Sequence, residues 1–301
     1  MLRPLAYALP WLAVASLALA DVPRGWLAEW PATDFSRTAV DLDEIMSGGP
    51  PKDGIPSIDA PRFATVDEVA DDLAASEPVM SVAIAGDARA YPLRVLMWHE
   101  IVNDTVGGVP VAVTYCPLCN SGIVFARTVE GEPTPFGTTA KPSHSDLVMY
   151  DRATESWWQQ FEGRAIVGAR TGRELERVPA RLEAFADFAE RHPEGRVLTP
   201  SNPQARGYGR NPYVGYDTAP RPFLFDGRYD GPGSPLMRVV AIDGADRAFS
   251  LDLVRQKKEI THGAYVIRWR PGQNSALDAA EIARGRDVGT VTVQRRLEGG
   301  R

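Results

Sequence analysis

The chain has two cysteines, and both lie in Thr114-Tyr115-Cys116-Pro117-Leu118-Cys119-Asn120. Two thiols separated by two residues can oxidise to a local disulfide or close together on one metal ion. They cannot supply the dispersed cross-links of a small disulfide-stabilised fold, so the spacing points to chemistry at a single turn. Three readings follow. A thioredoxin-type redox pair needs a helix starting at the first cysteine, because the helix N-terminus lowers that thiol's pKa. Here Asn120-Ser121-Gly122 leads into Ile123-Val124-Phe125, a turn and then a strand, so the tuning helix is missing. A strand, Cys-Pro-Leu-Cys, small polar residues and a second strand lay out a metal knuckle instead, a hairpin bend that points two sulfurs at one ion. The third reading is a permanent clip that locks the turn of a ligand-binding module.

A single knuckle excludes a closed four-cysteine zinc site within one chain. The remaining soft or borderline donors are His99, His144, His192, His262 and six methionines. His99 follows a short helical segment just before the cysteine strand. His144 lies in the loop Pro142-Ser143-His144-Ser145, and Met149 follows in the next strand. A site of Cys116 and Cys119 completed by His99, His144 or Met149 suits Cu(I), which accepts few ligands and prefers sulfur; zinc is the other metal expected. The first expectation is therefore a thiophilic-metal binding protein. The alternative is a thiol–disulfide oxidoreductase using the same pair, with Cys116 attacking if it is the more exposed. Either role implies exchange of metal or thiols with another exported protein. No nucleophile elbow, phosphate-binding glycine loop or His-Glu-x-x-His stands in the chain, and enzymatic activity stays open. Trp157-Trp158 and the Tyr208 to Tyr213 loop could line a groove, but packing of a β core is the expectation for them.

These residues need elements to hold them. Arg3, an apolar run from Leu5 to Ala20 and the ending Ala18-Leu19-Ala20 read as a signal peptide over residues 1–20, cleaved before Asp21. The expectation is a periplasmic or secreted protein with no integral membrane segment after cleavage, since no later run is long and apolar enough to span a bilayer. A net charge of −6 without a basic stripe excludes nucleic-acid binding. With 25 prolines and 27 glycines, short strands and many turns are expected over long helices. Residues 21–62 read as an extended arm, 63–200 as a first β-rich unit containing the cysteine hairpin, and 201–301 as a linker loop and a second, degenerate unit. Strands are expected at Val79–Ile84, Val109–Tyr115, Ile123–Phe125 and Leu147–Tyr150, and helices at Ala64–Ala75, after Pro92, and at Arg181–Arg191. The fold class is a β-rich α+β protein.

The second half echoes the first. Gly86-Asp87-Ala88-Arg89-Ala90-Tyr91-Pro92-Leu93 parallels Gly244-Ala245-Asp246-Arg247-Ala248-Phe249-Ser250-Leu251 at an offset of 158. Val113-Thr114-Tyr115-Cys116-Pro117-Leu118-Cys119-Asn120-Ser121 faces Ile267-Arg268-Trp269-Arg270-Pro271-Gly272-Gln273-Asn274-Ser275, where the offset has fallen to 154. Read as a tandem duplication, this pattern keeps the asparagine and serine of the turn while replacing both cysteines. The thiols are then an addition to one copy.

Ala90-Tyr91-Pro92-Leu93, His99-Glu100-Ile101-Val102-Asn103-Asp104, Tyr115-Cys116-Pro117-Leu118-Cys119 and Leu147-Val148-Met149-Tyr150-Asp151 together resemble a bacterial secreted family defined as a domain of unknown function. Gly48-Gly49-Pro50-Pro51-Lys52-Asp53-Gly54-Ile55-Pro56 is similar to the N-terminal arm of that family. The resemblance spans most of the chain and implies no activity. Family members commonly carry glycine after the second cysteine; Asn120, which stands there in this chain, also tolerates a positive φ.

Overall fold

A computed structural model describes residues 22–242 and 245–296. The signal peptide expected over residues 1–20 lies outside the described residues. The described chain is β-rich, with five short α-helices, the longest of seven residues, and several separate sheets, an α+β arrangement. None of its helices is long and apolar enough to cross a membrane.

Three sheets form stacked layers, and the cysteine hairpin belongs to the middle one. Its four strands run in the order Arg177–Val178, Ser121–Ala126, Val109–Cys116, Ile101–Val106. Side chains of a strand alternate between faces. Val111, Val113 and Tyr115 therefore enter one core with Met80 and Tyr91 of the first layer and Leu96 of the helix Leu93–His99. Ala112 and Cys116 enter the opposite core with Phe136, Met149 and Trp158 of the third layer. Because both faces are covered, Val109–Cys116 reads in the sequence as a nearly continuous apolar run.

The first layer is five-stranded, ordered Arg62–Thr65, Arg196–Thr199, Asp87–Pro92, Pro78–Ile84, Ala180–Ala184. The helix expected at Arg181–Arg191 begins only at Phe185. Its first residues pair with Pro78–Ile84 as an edge strand, because that strand would otherwise leave a row of backbone groups unpaired. The third layer runs Arg164–Val167, Trp157–Gln159, Val148–Asp151, Phe136–Thr138. Trp157 and Trp158 are wholly buried in it, as core packing requires. The N-terminal arm covers its outer face: Trp26, Trp30 and Phe35 surround Trp157 at ring separations of 5.0, 5.2 and 5.4 Å.

The order of elements Pro78–Ile84, Asp87–Pro92, Leu93–His99, Ile101–Val106, Val109–Cys116, Ser121–Ala126 recurs as Val239–Val240, Phe249–Ser250, Leu251–Lys257, Glu259–His262, Tyr265–Arg270, Thr290–Arg295. Both helices end on a residue of the same unusual backbone, Glu100 at φ 57, ψ −32 and Lys258 at φ 64, ψ −38. The carbonyls of these two residues accept from equivalent amides, Tyr115 N and Trp269 N, each at 2.8 Å. Ile101–Val106 has six residues and Glu259–His262 four. The register pairs Ile101 with Thr114 and Glu259 with Arg268, so shortening both arms by two residues turns an offset of 158 (259 minus 101) into 154 (268 minus 114).

Candidate metal centre

Cys116 ends its strand opposite Ser121, and Pro117 to Asn120 form the bend. Asn120 takes φ 48 and is held by Tyr115, whose hydroxyl donates to Asn120 Oδ1 at 3.1 Å. Asparagine carries this left-handed backbone more readily than most residues, so the bend closes without glycine. Both cysteines are free thiols; Cys116 is buried and Cys119 reaches solvent.

The partner of the thiols is a second tight turn, Ser143 to Asp146. Ser143 and Asp146 exchange backbone hydrogen bonds of 2.9 and 3.0 Å around His144 (φ 49) and Ser145 (φ 70). A two-residue turn with both central residues left-handed ordinarily uses Asn-Gly or Gly, and a non-glycine residue there costs roughly 1 kcal/mol or more. That strained backbone brings two groups to the cysteines. Cys116 Sγ lies 3.6 Å from the Ser145 carbonyl, and Cys119 Sγ donates to Asp146 Oδ1 at 3.0 Å. Gln160 braces the two turns, donating to Thr114 Oγ1 at 2.8 Å and accepting from Ser121 Oγ at 3.0 Å. Its backbone N–H donates to the Leu147 carbonyl at 2.9 Å.

The outcome is a compact cluster. Cys116 Sγ, Cys119 Sγ and a carboxylate oxygen of Asp146 all lie within 4.8 Å of one another. Two sulfurs on a tetrahedral zinc stand about 3.8 Å apart, given Zn–S bonds of about 2.3 Å. Small side-chain movements therefore suffice to close the cluster on an ion.

The electrostatics are those of a cation site lacking a protein cation. Burial raises the Asp146 carboxyl above its ordinary range, against the hydrogen bonds it accepts from Cys119 and the Phe161 and Leu147 amides. The Cys119 thiol is pushed far up by its contact with Cys116, then by desolvation and by the negative charges of Cys116 and Asp146. Glu100, buried nearby, is pushed up to about 8 by desolvation and by Asp146. No lysine or arginine among the described residues bonds to the two thiols or to Asp146.

Each donor named from the sequence has a definite place. Met149 is fully buried in the same apolar cluster as Cys116. His144 is half exposed, with Nε2 3.4 Å from Glu44, and borders the same cavity as Cys119. Both ring nitrogens of His99 are engaged, Nδ1 with the Pro56 carbonyl at 2.7 Å and Nε2 with the Tyr208 hydroxyl at 2.8 Å. A carbonyl only accepts, so Nδ1 carries the proton and Nε2 takes the tyrosine's. Asp146 and Glu100 were not singled out from the sequence. The available signal for Asp146 was its position directly after the Ser143-His144-Ser145 loop, and aspartate is too common in turns for that to stand out.

The pair sits between two cavities. Cys119 faces a cavity of about 570 Å³ whose wall also includes His144, Tyr216, Phe225 and Arg238. Cys116 faces a smaller one of about 80 Å³ shared with Glu100, Lys141 and Tyr213.

Fold and site define a β-rich α+β protein with a dithiol–carboxylate cluster at the bend of its central hairpin. The chain belongs to the family described as protein of unknown function (DUF3179), whose model matches residues 52–299. No curated protein and no solved structure matches the chain.

Proposed function

We propose that this protein is an exported metal-binding protein that holds one thiophilic ion through Cys116 and Cys119, with Asp146 as third donor. The single observation that carries the reading is the convergence of two sulfurs and a carboxylate within 4.8 Å. A sulfur-only set would suit Cu(I), the metal first expected; a carboxylate oxygen in the set favours Zn(II), which binds thiolate and carboxylate together. Three protein donors leave room for a fourth on a tetrahedral ion, and His144 lines the same cavity as Cys119. Met149 and His99 stay outside the set in this reading, the latter because ligation would sacrifice its bond to Tyr208.

The redox reading is weaker for a stated reason. A nucleophilic thiolate needs a lowered pKa, whereas Cys119, the more exposed of the two and so the attacking one, is raised by negative neighbours. A bound cation reverses that balance and releases the thiol protons. The recurrent element order, the matched helix ends and the four-residue change of offset support a tandem duplication in which one copy acquired the metal site.

The test is titration of the reduced, metal-free protein with Zn(II) and with Cu(I). The expected result is one Zn(II) per chain, abolished by Cys116→Ala with Cys119→Ala. Retention of no ion, together with ready formation of a reversible Cys116–Cys119 disulfide, would favour the oxidoreductase.

A further inference from the structure

Arg238 is a cavity-lining cation with no bonded partner among the described residues. It borders the cavity of about 570 Å³ that Cys119 faces, and also two neighbouring cavities of about 440 and 430 Å³. Its side chain is half-buried, and no hydrogen bond or ion pair holds its guanidinium among the described residues. The acid beside it is already committed. Asp217 accepts from Arg286 at 2.7 and 3.0 Å and from the Ser275 hydroxyl, and Arg286 also bonds Asp278 at 2.7 Å. Arg238 therefore has no protein carboxylate left to pair with at this wall. Burial lowers its pKa, with Tyr115 and Asp217 opposing that shift. A guanidinium stays charged in any protein environment and presents five donors in a planar fork. Its guanidinium opens on the cavity without a protein partner, and an anion there gains charge-assisted hydrogen bonds.

The cavity specifies more than charge. Phe225, Tyr229, Pro235 and Leu236 give it apolar walls, and its volume lies in the range of small-molecule sites, roughly 300 to 1,000 Å³. One free cation near Asp217 matches a single negative charge better than a phosphate dianion. A planar carboxylate fits the guanidinium fork in bidentate fashion.

We propose that the cavity binds a small amphipathic monocarboxylate, its carboxylate on Arg238 and its apolar body against Phe225 and Leu236. Cys119 forms part of the same wall, so a ligand seated there reaches the open side of the dithiol–carboxylate cluster. The site does not require a metal, and anion binding and metal binding are read by separate measurements.

The experiment uses 3-phenylpropionate and its neutral analogue 3-phenylpropionamide, titrated calorimetrically into the metal-free full chain. Saturable binding of one carboxylate per chain is expected, with the amide at least about tenfold weaker, a difference of about 1.4 kcal/mol. Arg238→Gln is expected to lose a similar factor, and Arg238→Lys to recover part of it by restoring the charge. Failure of the carboxylate to saturate by about 10 mM, below even a weak specific contact, would overturn the proposal. So would equal affinity for the amide. The acid–amide comparison is made on the unaltered protein and does not depend on how either variant folds.

Discussion

Two bends of this chain occupy the same place in the same order of elements and are built differently. In the second, after Trp269, successive polar groups are answered by the protein itself. Arg270 pairs with Asp187 at 2.6 Å, the Gly272 amide donates to the Asp287 carboxylate at 3.0 Å, Gln273 accepts from Thr290 at 3.0 Å, and Asn274 donates to the Ala283 carbonyl at 2.9 Å. In the first, the two thiols meet each other, the Ser145 carbonyl, the Cys116 carbonyl, a serine hydroxyl and a carboxyl that burial has raised. The bend therefore forms without thiols. Where the thiols are present they gather buried acidity that folding does not need and a cation would relieve.

The sharpest way to break this contrast is Asp146→Asn. Zn(II) affinity is expected to fall by at least about tenfold, the loss that removal of even an outer-shell partner typically brings. Competition with a chelator of known affinity measures it, and an unchanged affinity would leave the sulfurs alone as ligands.

A smaller effect concerns pH in the metal-free protein. Glu100 ionises near 8 in the fold against an ordinary 4.5. Between those values the folded state holds a proton that the unfolded chain has lost, so stability falls as pH rises through that window and levels off above it. One such group contributes up to about 1.4 kcal/mol per pH unit. Glu100→Gln is expected to flatten the profile of urea midpoints between pH 5 and 8. Asp146, raised in the same direction, would leave a shallower slope.

The smallest expected effect separates strain from ligation. His144→Gly places glycine at φ 49, a backbone glycine adopts without penalty, and should stabilise the metal-free fold by about 1 kcal/mol. Zn(II) affinity should stay within a few-fold of the parent. A large loss would make His144 the fourth ligand.

Much of this was legible in residue pattern. The apolar run before Cys116, the turn formers after Cys119 and the β-branched residues beyond them gave the hairpin directly. The drop in offset between the two echoing segments coincides with a hairpin whose arms are two residues shorter in the second half. Cys119, and not Cys116, is the exposed thiol, which spacing alone does not decide. The third donor was hidden because Asp146 is 27 residues from Cys119 and arrives by a turn without the Asn-Gly signature that announces such turns. Glu100 was hidden for a related reason: it ends a helix at φ 57, and glutamate gives no sign of that backbone in a sequence. The strand at Ala180–Ala184 lost its helical reading because an exposed sheet edge outweighed local periodicity.

X-ray absorption at the zinc edge of the reconstituted reduced protein tests the central claim most directly. Two sulfur neighbours near 2.3 Å and the remainder oxygen or nitrogen near 2.0 to 2.2 Å are expected, with the sulfur shell lost in the double cysteine variant. A protein that binds no ion, or one whose ion lacks those two sulfurs, would contradict it.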